Sequence, residues 1–465
     1  MTVPKGKYLF KGFVENTTPL HIGSGNDDKS DMDILRNPDG IPFIPATSFT
    51  GVLKNLLDSS VPNEDRKQEA WKRFWGSAKK KDARDEKTRG TGYGSCFQCS
   101  DLNVIDNKAK NSELFQTAIR DGISIDNTRN IAKDKGKYDY EILEPGHCFN
   151  LKVELSYVDN DREFVEKIIR TIISCLTRGI YIGKMTNAGL GQVRLIQDSM
   201  ALYQFDFRDK NDVLSWLYQD FSKKNITSVE SLPFPYEIQS DIFRIKAKFQ
   251  LKHSMIIRTY SSNPNDPDAV HLKSGNNHII PGTSLKGAIR ARAKRIAKTI
   301  NPSKTTSLIN ELFGMVDPDQ PKKKALKGMV KIRDIILPDY TSEKQIRIQV
   351  DRLTGGAIDG KLFETMPIFD NHEHHAFDME ITVTNSSSSK AVLGLLLLVL
   401  KDLWSGDLAI GGEKNVGRGV LKGVEATIDY EGKKLIIPED ISQIDKNHQT
   451  NLEKLVEEFN IWMEK

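Results

Sequence analysis

The chain has 465 residues, of which 38% are hydrophobic and 28% are charged, and its formal net charge is +4. This length exceeds one ordinary core and predicts two domains of about 200 residues each. The charge balance excludes a uniformly basic chain, so any basic surface comes from local clustering. Four cysteines argue against a disulfide scaffold, the start lacks a signal-peptide core, and the longest apolar run, 391–400, is about half a membrane span. We therefore expect a cytoplasmic protein.

Residues 8–25 predict a strand that enters a glycine-containing loop, and residues 243–260 match them 235 positions later. A polar loop with aspartates follows in each half, over 26–40 and over 261–277. The same order of elements in both halves is the first sign of an internal duplication.

Each polar loop leads through an apolar residue and a proline, Pro45 or Pro281, into a helix. Thr and Ser at the start of such a helix predict N-caps. A helix start also offers free N–H groups and a positive dipole end to a phosphate. The residues concerned are Thr47 and Ser48 in the first half, and Thr283 and Ser284 in the second.

Two glycine-rich stretches near the ends of the halves share one pattern. Ile182–Gly191 and Ile410–Gly419 lie 228 positions apart (410 − 182), and Ile, Gly, Asn, Gly and Gly recur at the same spacing. Glycine at this density permits backbone angles that other residues avoid. Two such loops in one register indicate a tandem duplication.

Between these landmarks each half reads β, loop, α, β, long excursion, β, α, glycine loop, β. This order predicts an α+β fold of two tandem ferredoxin-like (RRM-like) domains, each with thumb and loop insertions. We predict a first domain at 1–205, a linker at 206–240, a second domain at 241–425 and a C-terminal extension at 426–465, with an amphipathic helix at 451–464.

The helix entry, an x-Phe/Trp-Gly landmark (Phe74-Trp75-Gly76 and Leu312-Phe313-Gly314) and the Gly-x(5)-Gly-x-Gly loop together resemble the RAMP superfamily of CRISPR systems. The segment from Val350 to Ala357 is similar to type III backbone subunits, and two such units in one chain resemble a type III-D-like double-backbone subunit. The resemblance implies binding of crRNA across two consecutive backbone positions. It also implies target RNA, adjacent backbone subunits and a large signalling subunit as partners, and no membrane.

Type III backbone subunits cleave target RNA with an aspartate in the loop before the helix entry. By that register Asp31 takes the catalytic place in the first half, with Asp33 as the alternative. In the second half Asp268 is the choice and Asp266 the alternative. A carboxylate can take the proton of a ribose 2′-OH or hold a divalent cation, and Mg²⁺ needs only one or two carboxylates besides phosphates. The resemblance thus implies a divalent cation, Mg²⁺, at these aspartates, although no direct metal motif is present.

The predicted RNA contacts fall on the helix entries, the thumb bases and the glycine loops. Those at the helix entries are Thr47, Ser48, Lys54, Thr283, Ser284, Lys286 and Arg290, and those at the thumb bases are Arg129 and Arg352. Those in the glycine loops are Asn187, Gly189, Gly191, Asn415, Gly417, Arg418 and Gly419.

Two other functions stay open at this point: a non-catalytic crRNA-binding structural subunit, and a stand-alone crRNA-processing endoribonuclease. The endoribonuclease hypothesis requires a histidine as general base, for which His21 is the candidate, but Ile256 occupies its place in the second half.

Cys96 and Cys99 form a lone CxxC without a second ligand pair, so we predict strand residues there. A GxxxxGK phosphate-binding motif is absent from the sequence, and no nucleotide hydrolysis is predicted.

Overall fold

The computed structural model describes residues 4–25, 29–76, 93–105, 115–126, 129, 131–221, 236, 243–261, 263, 265–316, 325–337, 339–370, 375–384 and 389–465. Outside this set lie residues 26–28 of the first predicted aspartate loop, 262 and 264 of the second, and 222–235 and 237–240 of the predicted linker.

The helices are α1 (Ala46–Ser60), α2 (Asn63–Arg66), α3 (Glu69–Trp75), α4 (Arg162–Arg178), α5 (Lys210–Tyr218), α6 (Gly282–Ile300), α7 (Pro302–Phe313), α8 (Ser389–Ser405) and α9 (Lys446–Glu464). Among the described residues, none of these helices is long and apolar enough to cross a membrane.

The strands of the first half are β1 (Gly6–Asn16), β2 (Phe43–Ile44), β3 (Phe97–Cys99), β4 (Leu102–Ile105), β5 (Thr117–Asp126), β6 (Ile131–Leu143), β7 (Cys148–Tyr157), β8 (Ile180–Tyr181) and β9 (Gln192–Asp206).

The strands of the second half are β10 (Phe243–Leu251), β11 (Ser254–Met255), β12 (Arg258–Thr259), β13 (Ala269–His271), β14 (Lys273–Ser274), β15 (Asn277–Ile280), β16 (Met315–Val316), β17 (Ala325–Leu326), β18 (Val330–Ile332), β19 (Ile335–Leu337), β20 (Thr341–Ser342), β21 (Gln345–Val350), β22 (Ala357–Met366), β23 (Ile368–Phe369), β24 (Ala376–Val383), β25 (Leu421–Tyr430) and β26 (Lys433–Ile437).

The chain forms two compact units. The first unit contains Met1–Thr117, Glu141–Lys184 and Gly191–Gln239, and the second contains Ala118–Tyr140, Met185–Leu190 and Ser240–Lys465. Most of strands β5 and β6 and the tip of the first glycine loop therefore belong to the second unit, although both come from the first half of the sequence.

Each unit is built on an antiparallel sheet with its first strand in the centre. The order is β2-β4-β7-β1-β9-β8 in the first unit and β18-β24-β10-β25-β26 in the second. Phe10 of β1 lies opposite Val153 and Leu202, and Ala247 of β10 lies opposite Met379 and Ala426. In each sheet the register shifts where the central strand pairs with the strand after the glycine loop, β9 or β25, as in a β-bulge. This is the predicted α+β, ferredoxin-like arrangement, present twice.

The helix after the first strand buries the same register in both units. In α1 the buried side chains are Phe49, Leu53 and Leu57; in α6 they are Leu285, Ile289 and Ala293, each 236 positions later. A spacing of four residues places each set on one face of its helix, which packs into the core of its unit.

The described residues of the segments predicted as linker and extension are part of the units. Within 206–240, helix α5 brings the Trp216 ring to 5.2 Å from that of Phe205. After residue 426, strand β26 pairs with β25, and α9 confirms the predicted amphipathic helix with an earlier start at Lys446. Helix α9 approaches α8 so closely that a Cβ on Gly394 would lie 2.2 Å from the carbonyl oxygen of Leu455. Glycine is the residue that permits this approach.

Candidate nucleic-acid interface and aspartate loops

The first aspartate loop is closed by backbone hydrogen bonds in the first unit. The N–H of Ser24 donates to the Asp33 carbonyl (3.0 Å), and the N–H of Leu35 donates to the Ile22 carbonyl (2.7 Å). Gly23 and Ile34 form the bridge between these two bonds. The loop is therefore a short antiparallel ladder with its aspartates near the turn.

The two candidate aspartates of this loop have different environments. The Asp33 side chain is buried and accepts from the N–H groups of Lys29 and Ser30 (both 2.9 Å) and from the Ser30 hydroxyl (2.7 Å). Asp31 is exposed. Asp33 thus shapes the turn, as Asp commonly does, whereas Asp31 faces solvent, where a ligand has access.

In the second unit the same ladder is formed by β12 and β13. The N–H of Leu272 donates to the Ile257 carbonyl (2.9 Å), and His271 lies opposite Arg258. Leu35 and Leu272 make the same hydrogen bond of the ladder, so they are equivalent positions, 237 residues apart.

The residue 237 positions after Asp31 is Asp268, which is also exposed, with a carboxylate oxygen that accepts from the Glu364 N–H (3.1 Å). The alternative, Asp266, accepts from the hydroxyl of Ser261 (2.5 Å) and from the Asn263 amide (3.3 Å). The register of the ladder therefore favours Asp268 over Asp266 as the counterpart of Asp31.

The two loops are anchored by different means. In the first unit, the Arg36 guanidinium forms a two-point ion pair with Glu141 (2.5 and 2.8 Å), and the Ile34 N–H donates to the same carboxylate (3.2 Å). Burial by itself raises the pKa of Glu141, but these donors outweigh burial and hold the pKa below its usual value. The Glu141 side chain is 4% exposed, so the pair is held away from water.

In the second unit His271 occupies the place of Ile34 and is buried. Its Nδ1 accepts from the Ile257 N–H (3.2 Å), and its Nε2 donates to the Ile279 carbonyl (2.9 Å). Both nitrogens are used by a neutral ring, and burial lowers the pKa of His271 to about 4. Sequence analysis missed Glu141 and His271, because nothing in the local pattern distinguishes either from its neighbours.

The processing hypothesis for His21 meets a geometric obstacle in the first unit. His21 is 0% exposed, and its Nδ1 lies 2.6 Å from the Glu141 carbonyl oxygen, to which it donates. Burial also lowers the pKa of His21. A general base must reach the proton that it removes, and a ring enclosed in this way does not reach an RNA hydroxyl.

The helix entries differ from the prediction, because Pro45 and Pro281 are the N-cap residues and neither helix has a side-chain N-cap from its Thr or Ser. A carboxylate from the connection between two strands, β3 and β4 or β18 and β19, caps each helix instead. Asp101 accepts from the Ala46 N–H (2.7 Å), and Asp334 accepts from the Gly282 N–H (2.8 Å). Thr47, Ser48, Thr283 and Ser284 lie inside the first turn. The sequence did carry a signal, since Asp101 and Asp334 correspond in the repeat.

The cations after the helix entries are in different surroundings. In the first unit Lys54 is exposed, with its ammonium 5.8 Å from the centre of the Trp75 ring. In the second unit the Lys286 ammonium donates to the Asn187 carbonyl (3.2 Å), and burial, aided by the charge of Arg290, lowers the pKa of Lys286 to about 8. Burial likewise lowers the pKa of Arg290. Of these three cations, Lys54 is the most accessible to solvent.

The tip of the first glycine loop is packed within the second unit. The Asn187 amide donates to the Gly328 carbonyl (2.8 Å). A Cβ on Gly189 would lie 2.4 Å from the Cα of Arg333, and one on Gly191 would lie 2.0 Å from the Ile182 carbonyl oxygen. Both glycines have positive φ, so conformation and space each require glycine.

The second glycine loop has the same backbone but a different setting. Thr186–Ala188 and Lys414–Val416 are each one 3₁₀ turn, followed by a left-handed glycine, Gly189 or Gly417. Among the described residues, no atom lies within 4 Å of a Cβ placed on Gly417, and Asn415 is exposed. Gly419 is enclosed, because its Cβ would lie 1.8 Å from the Ile410 carbonyl oxygen.

Glu413 holds this second loop in place. Its carboxylate forms ion pairs with the guanidinium groups of Arg258 (2.8 Å), Arg347 (2.9 Å) and Arg418 (2.9 Å). Burial by itself raises the pKa of Glu413, but the hydrogen bond from Arg258 and the charges of Arg418 and Arg347 lower it. Arg418, a predicted RNA contact, is itself buried and engaged in this cluster. Glu413 was missed because its three partners are far apart in sequence.

The thumb bases carry exposed arginines. Arg129 is exposed, and its N–H lies 3.4 Å from the Asp126 carboxylate. Arg352 is also exposed, and Asp351 before it accepts from the N–H groups of Leu353 and Thr354 (both 2.8 Å). Asp351 therefore shapes the turn, and these backbone contacts lower its pKa.

The metal hypothesis depends on few ligands. Among the described residues, no group of three or more His, Cys, Asp or Glu side chains is arranged to hold a metal ion. A single exposed carboxylate, such as Asp31 or Asp268, suits a Mg²⁺ site completed by waters and substrate phosphates and not a closed protein cage. At the CxxC pair, burial raises the pKa of Cys99 to about 12, so this side chain is a neutral thiol at the end of β3.

Comparison with known proteins agrees with the duplicated fold. A model of the RAMP superfamily matches residues 13–194 and 248–422. The two matches begin 235 positions apart (248 − 13), the same interval that separates the first strands of the two halves. A search among curated proteins gives no match. Since the two matched regions cover most of the chain, and each contains one ferredoxin-like sheet with its aspartate and glycine loops, the chain belongs to the RAMP superfamily of CRISPR-associated RNA-binding proteins, with one RAMP domain in each half.

Proposed function

We propose that this chain is a double backbone subunit of a type III-like CRISPR effector. In this role it binds crRNA across two consecutive positions and cleaves the paired target RNA once in each half, through Asp31 and Asp268. Base pairing between guide and target supplies sequence recognition, and the protein holds the RNA through its shape and phosphates.

One observation supports this proposal: Asp31 and Asp268 each precede the corresponding ladder leucine, Leu35 or Leu272, by four residues, and both are exposed. The neighbouring Asp33 is fully engaged in shaping its turn. A solvated turn residue needs no counterpart in the other half, whereas a reactive group used at two consecutive positions does.

The chemistry follows from a single carboxylate. It removes the proton of a target ribose 2′-OH, whose oxygen attacks the adjacent phosphorus. The new O2′–P bond replaces the P–O5′ bond, and the leaving O5′ takes a proton from water. The products are a 2′,3′-cyclic phosphate end and a 5′-OH end. A Mg²⁺ ion bound between this carboxylate and the substrate phosphates would stabilise the phosphate charge.

For the guide, the exposed cations are the favoured contacts. Lys54, Arg129 and Arg352 are solvent-facing. The first N–H of each helix already donates to a carboxylate. The structure therefore favours phosphate binding at the helix starts less than the sequence did. Each phosphate contact made by a cation adds about one to the slope of log affinity against log salt.

The test uses the chain assembled with guide RNA and its partner subunits, with a labelled complementary RNA mapped at single-nucleotide resolution. Asp31→Ala should remove one cut and Asp268→Ala another, each by about 100-fold or more, because a general base contributes at least that factor. The 5′ fragment should end in a cyclic phosphate. Cutting that persists unchanged in the double variant would show that these aspartates are not the catalytic groups.

Asp39→Ala is the matched control, since Asp39 is an exposed aspartate of the same segment. It should leave both cuts intact. If the wild-type assembly binds target RNA and makes no cut in this region, the chain is the non-catalytic structural subunit instead.

A further inference from the structure

The glycine loop of each unit is attached to the strand that leads into the aspartate loop. In the first unit the Lys184 N–H donates to the His21 carbonyl (2.9 Å), and in the second the Gly412 N–H donates to the Ile256 carbonyl (2.8 Å). Gly412 follows Lys184 by 228 positions, the interval that separates the two glycine loops. The two attachments are therefore equivalent.

Beside this attachment lies a cation, which comes from a different strand in each unit. In the first unit the glycine loop contributes Lys184 and the facing ladder residue is Gly23, where an added Cβ would lie 2.9 Å from the Lys184 Nζ. In the second unit the ladder contributes Arg258, at the place of Gly23, and the facing loop residue is Gly412. An added Cβ on Gly412 would lie 3.5 Å from the Arg258 Nε. Each junction thus holds one cation and one glycine, with their positions exchanged.

The exchange indicates that the charge is needed at this place in space. Lys184 and Arg258 are both exposed, and the Arg258 side chain is 57% exposed. Exposed charges contribute little to stability, so packing gives no strong reason to keep a cation here. A charge that is present in both units although its position in the sequence differs points to an anion that both units bind.

The place of the cation is close to the candidate catalytic aspartate in each unit. That aspartate comes three residues before the ladder partner of this place, which is Ile34 in the first unit and His271 in the second. Three residues span at most about 10 Å of chain. Lysine and arginine have long and flexible side chains that cover much of this interval. The cation and the aspartate carboxylate therefore lie within reach of one nucleotide.

In the second unit the cation is also held by Glu413. This carboxylate pairs with Arg258, Arg347 and Arg418, so three guanidinium groups share one negative charge. An arginine has five N–H donors, and the ion pair leaves donors of the exposed Arg258 for a phosphate. Met185 occupies the place of Glu413 in the first unit. The excess of positive charge around Glu413 suits an anion.

We propose that Lys184 and Arg258 are catalytic cations for target cleavage, each contacting a non-bridging oxygen of the phosphate that the neighbouring 2′-OH attacks. This inference rests on the proposed function and adds a second group to each site. The aspartate takes the 2′-OH proton, the O2′–P bond forms as the P–O5′ bond breaks, and O5′ takes a proton from water. The cation stabilises the negative charge that builds up on the phosphate oxygens, and it is not consumed.

The test measures single-turnover cleavage by the chain assembled with guide RNA and partner subunits, at saturating target and with each cut mapped separately. Lys184→Gly should slow the cut assigned to Asp31 by about 100-fold or more, because one donor that stabilises transition-state charge is worth that factor. The cut assigned to Asp268 should be unchanged. Arg258→Gly should have the reverse effect. Thermal unfolding and target binding verify that each variant folds and assembles.

The exchanged positions supply a matched rescue. Lys184→Gly combined with Gly23→Arg gives the first unit the arrangement of the second and should restore most of the lost rate. Arg258→Gly combined with Gly412→Lys should do the same for the second unit. Gly23 and Gly412 do not have positive φ, so each accepts a side chain once the facing cation is removed.

Two results would overturn the proposal: both glycine variants cut at the wild-type rate, or both lose the cut and neither exchanged cation restores it. If the variants instead bind RNA more weakly, with a salt slope lower by about one and an unchanged rate at saturation, the cations are binding contacts and not catalytic groups. Full cutting in Lys184→Gly together with its loss in Asp31→Ala refutes the cation alone. Full cutting in Asp31→Ala as well refutes the proposed function.

Discussion

The two aspartate loops present their carboxylates in the same way but are held in place differently. In the first unit an ion pair between Arg36 and Glu141 anchors the loop, and in the second a neutral buried histidine does. Lys273 stands at the place of Arg36 and is exposed. The shared feature is the ladder that positions Asp31 and Asp268. The groups that anchor this ladder differ between the two units, so the stability of each loop should respond to a different perturbation.

Arg36→Met should give the largest effect. It leaves Glu141 buried without its charged partner, and removing one partner of a buried pair costs about 3 kcal/mol or more. The matched change Lys273→Met should cost less than about 0.5 kcal/mol, because that side chain is exposed. Urea unfolding followed by circular dichroism measures both. Equal losses would mean that the two loops share an anchor after all.

Acidification should act on the second loop next. The pKa of His271 is about 4 in the folded chain and about 6.5 when unfolded, so the unfolded state binds more protons between these values. Stability is therefore full above pH 6.5 and falls as the pH drops towards 4. At pH 5 the loss from this group is about 2 kcal/mol.

The control for acidification exchanges residues between the halves. His271→Ile introduces the residue found at that place in the first unit and should flatten the decline of stability between pH 7 and pH 5. His21→Ile introduces the residue found at 256 and should flatten only the part due to His21, whose pKa burial also lowers. An unchanged pH profile in His271→Ile would exclude the buried ring as the cause.

The glycine loops offer the smallest and most closely matched comparison. Gly189→Ala and Gly417→Ala share the cost of placing alanine at positive φ, about 1 kcal/mol. Only Gly189 also faces the backbone of Arg333, so its variant should be the less stable by about a further 1 kcal/mol. Thermal unfolding of the two variants measures the difference. A larger loss for Gly417→Ala would contradict the packing difference between the tips.

The sequence was sufficient for the repeat, the order of elements and the ferredoxin-like fold, because periodicity and glycine spacing are local signals. It was insufficient for the groups that complete the sites. Glu141 and Glu413 act through partners distant in the chain, and a single sequence does not reveal such pairs. The N-caps were predicted wrongly for the same reason: the sequence offered a nearby Thr or Ser, whereas the capping carboxylates of Asp101 and Asp334 come from distant connections between strands.

The equivalence of Asp31 and Asp268 could be predicted only in part from the sequence. Residue counting left Asp266 and Asp268 as rivals, because the loops differ in length by insertion. The backbone ladder favours Asp268, because its hydrogen bonds fix the register between the two strands on either side of the loop. The catalytic role of either aspartate stays a prediction until cleavage is measured.

The carboxylates at the helix entries have a further consequence for how the chain selects its anions. Asp101 and Asp334 are tethered to the helix starts that they cap, so their effective concentration there is on the order of millimolar or higher. A free phosphate or nucleotide has to displace a group that never diffuses away. Small anions are therefore poor competitors at these positions, and a polyanion gains its advantage only by engaging many separate cations at once.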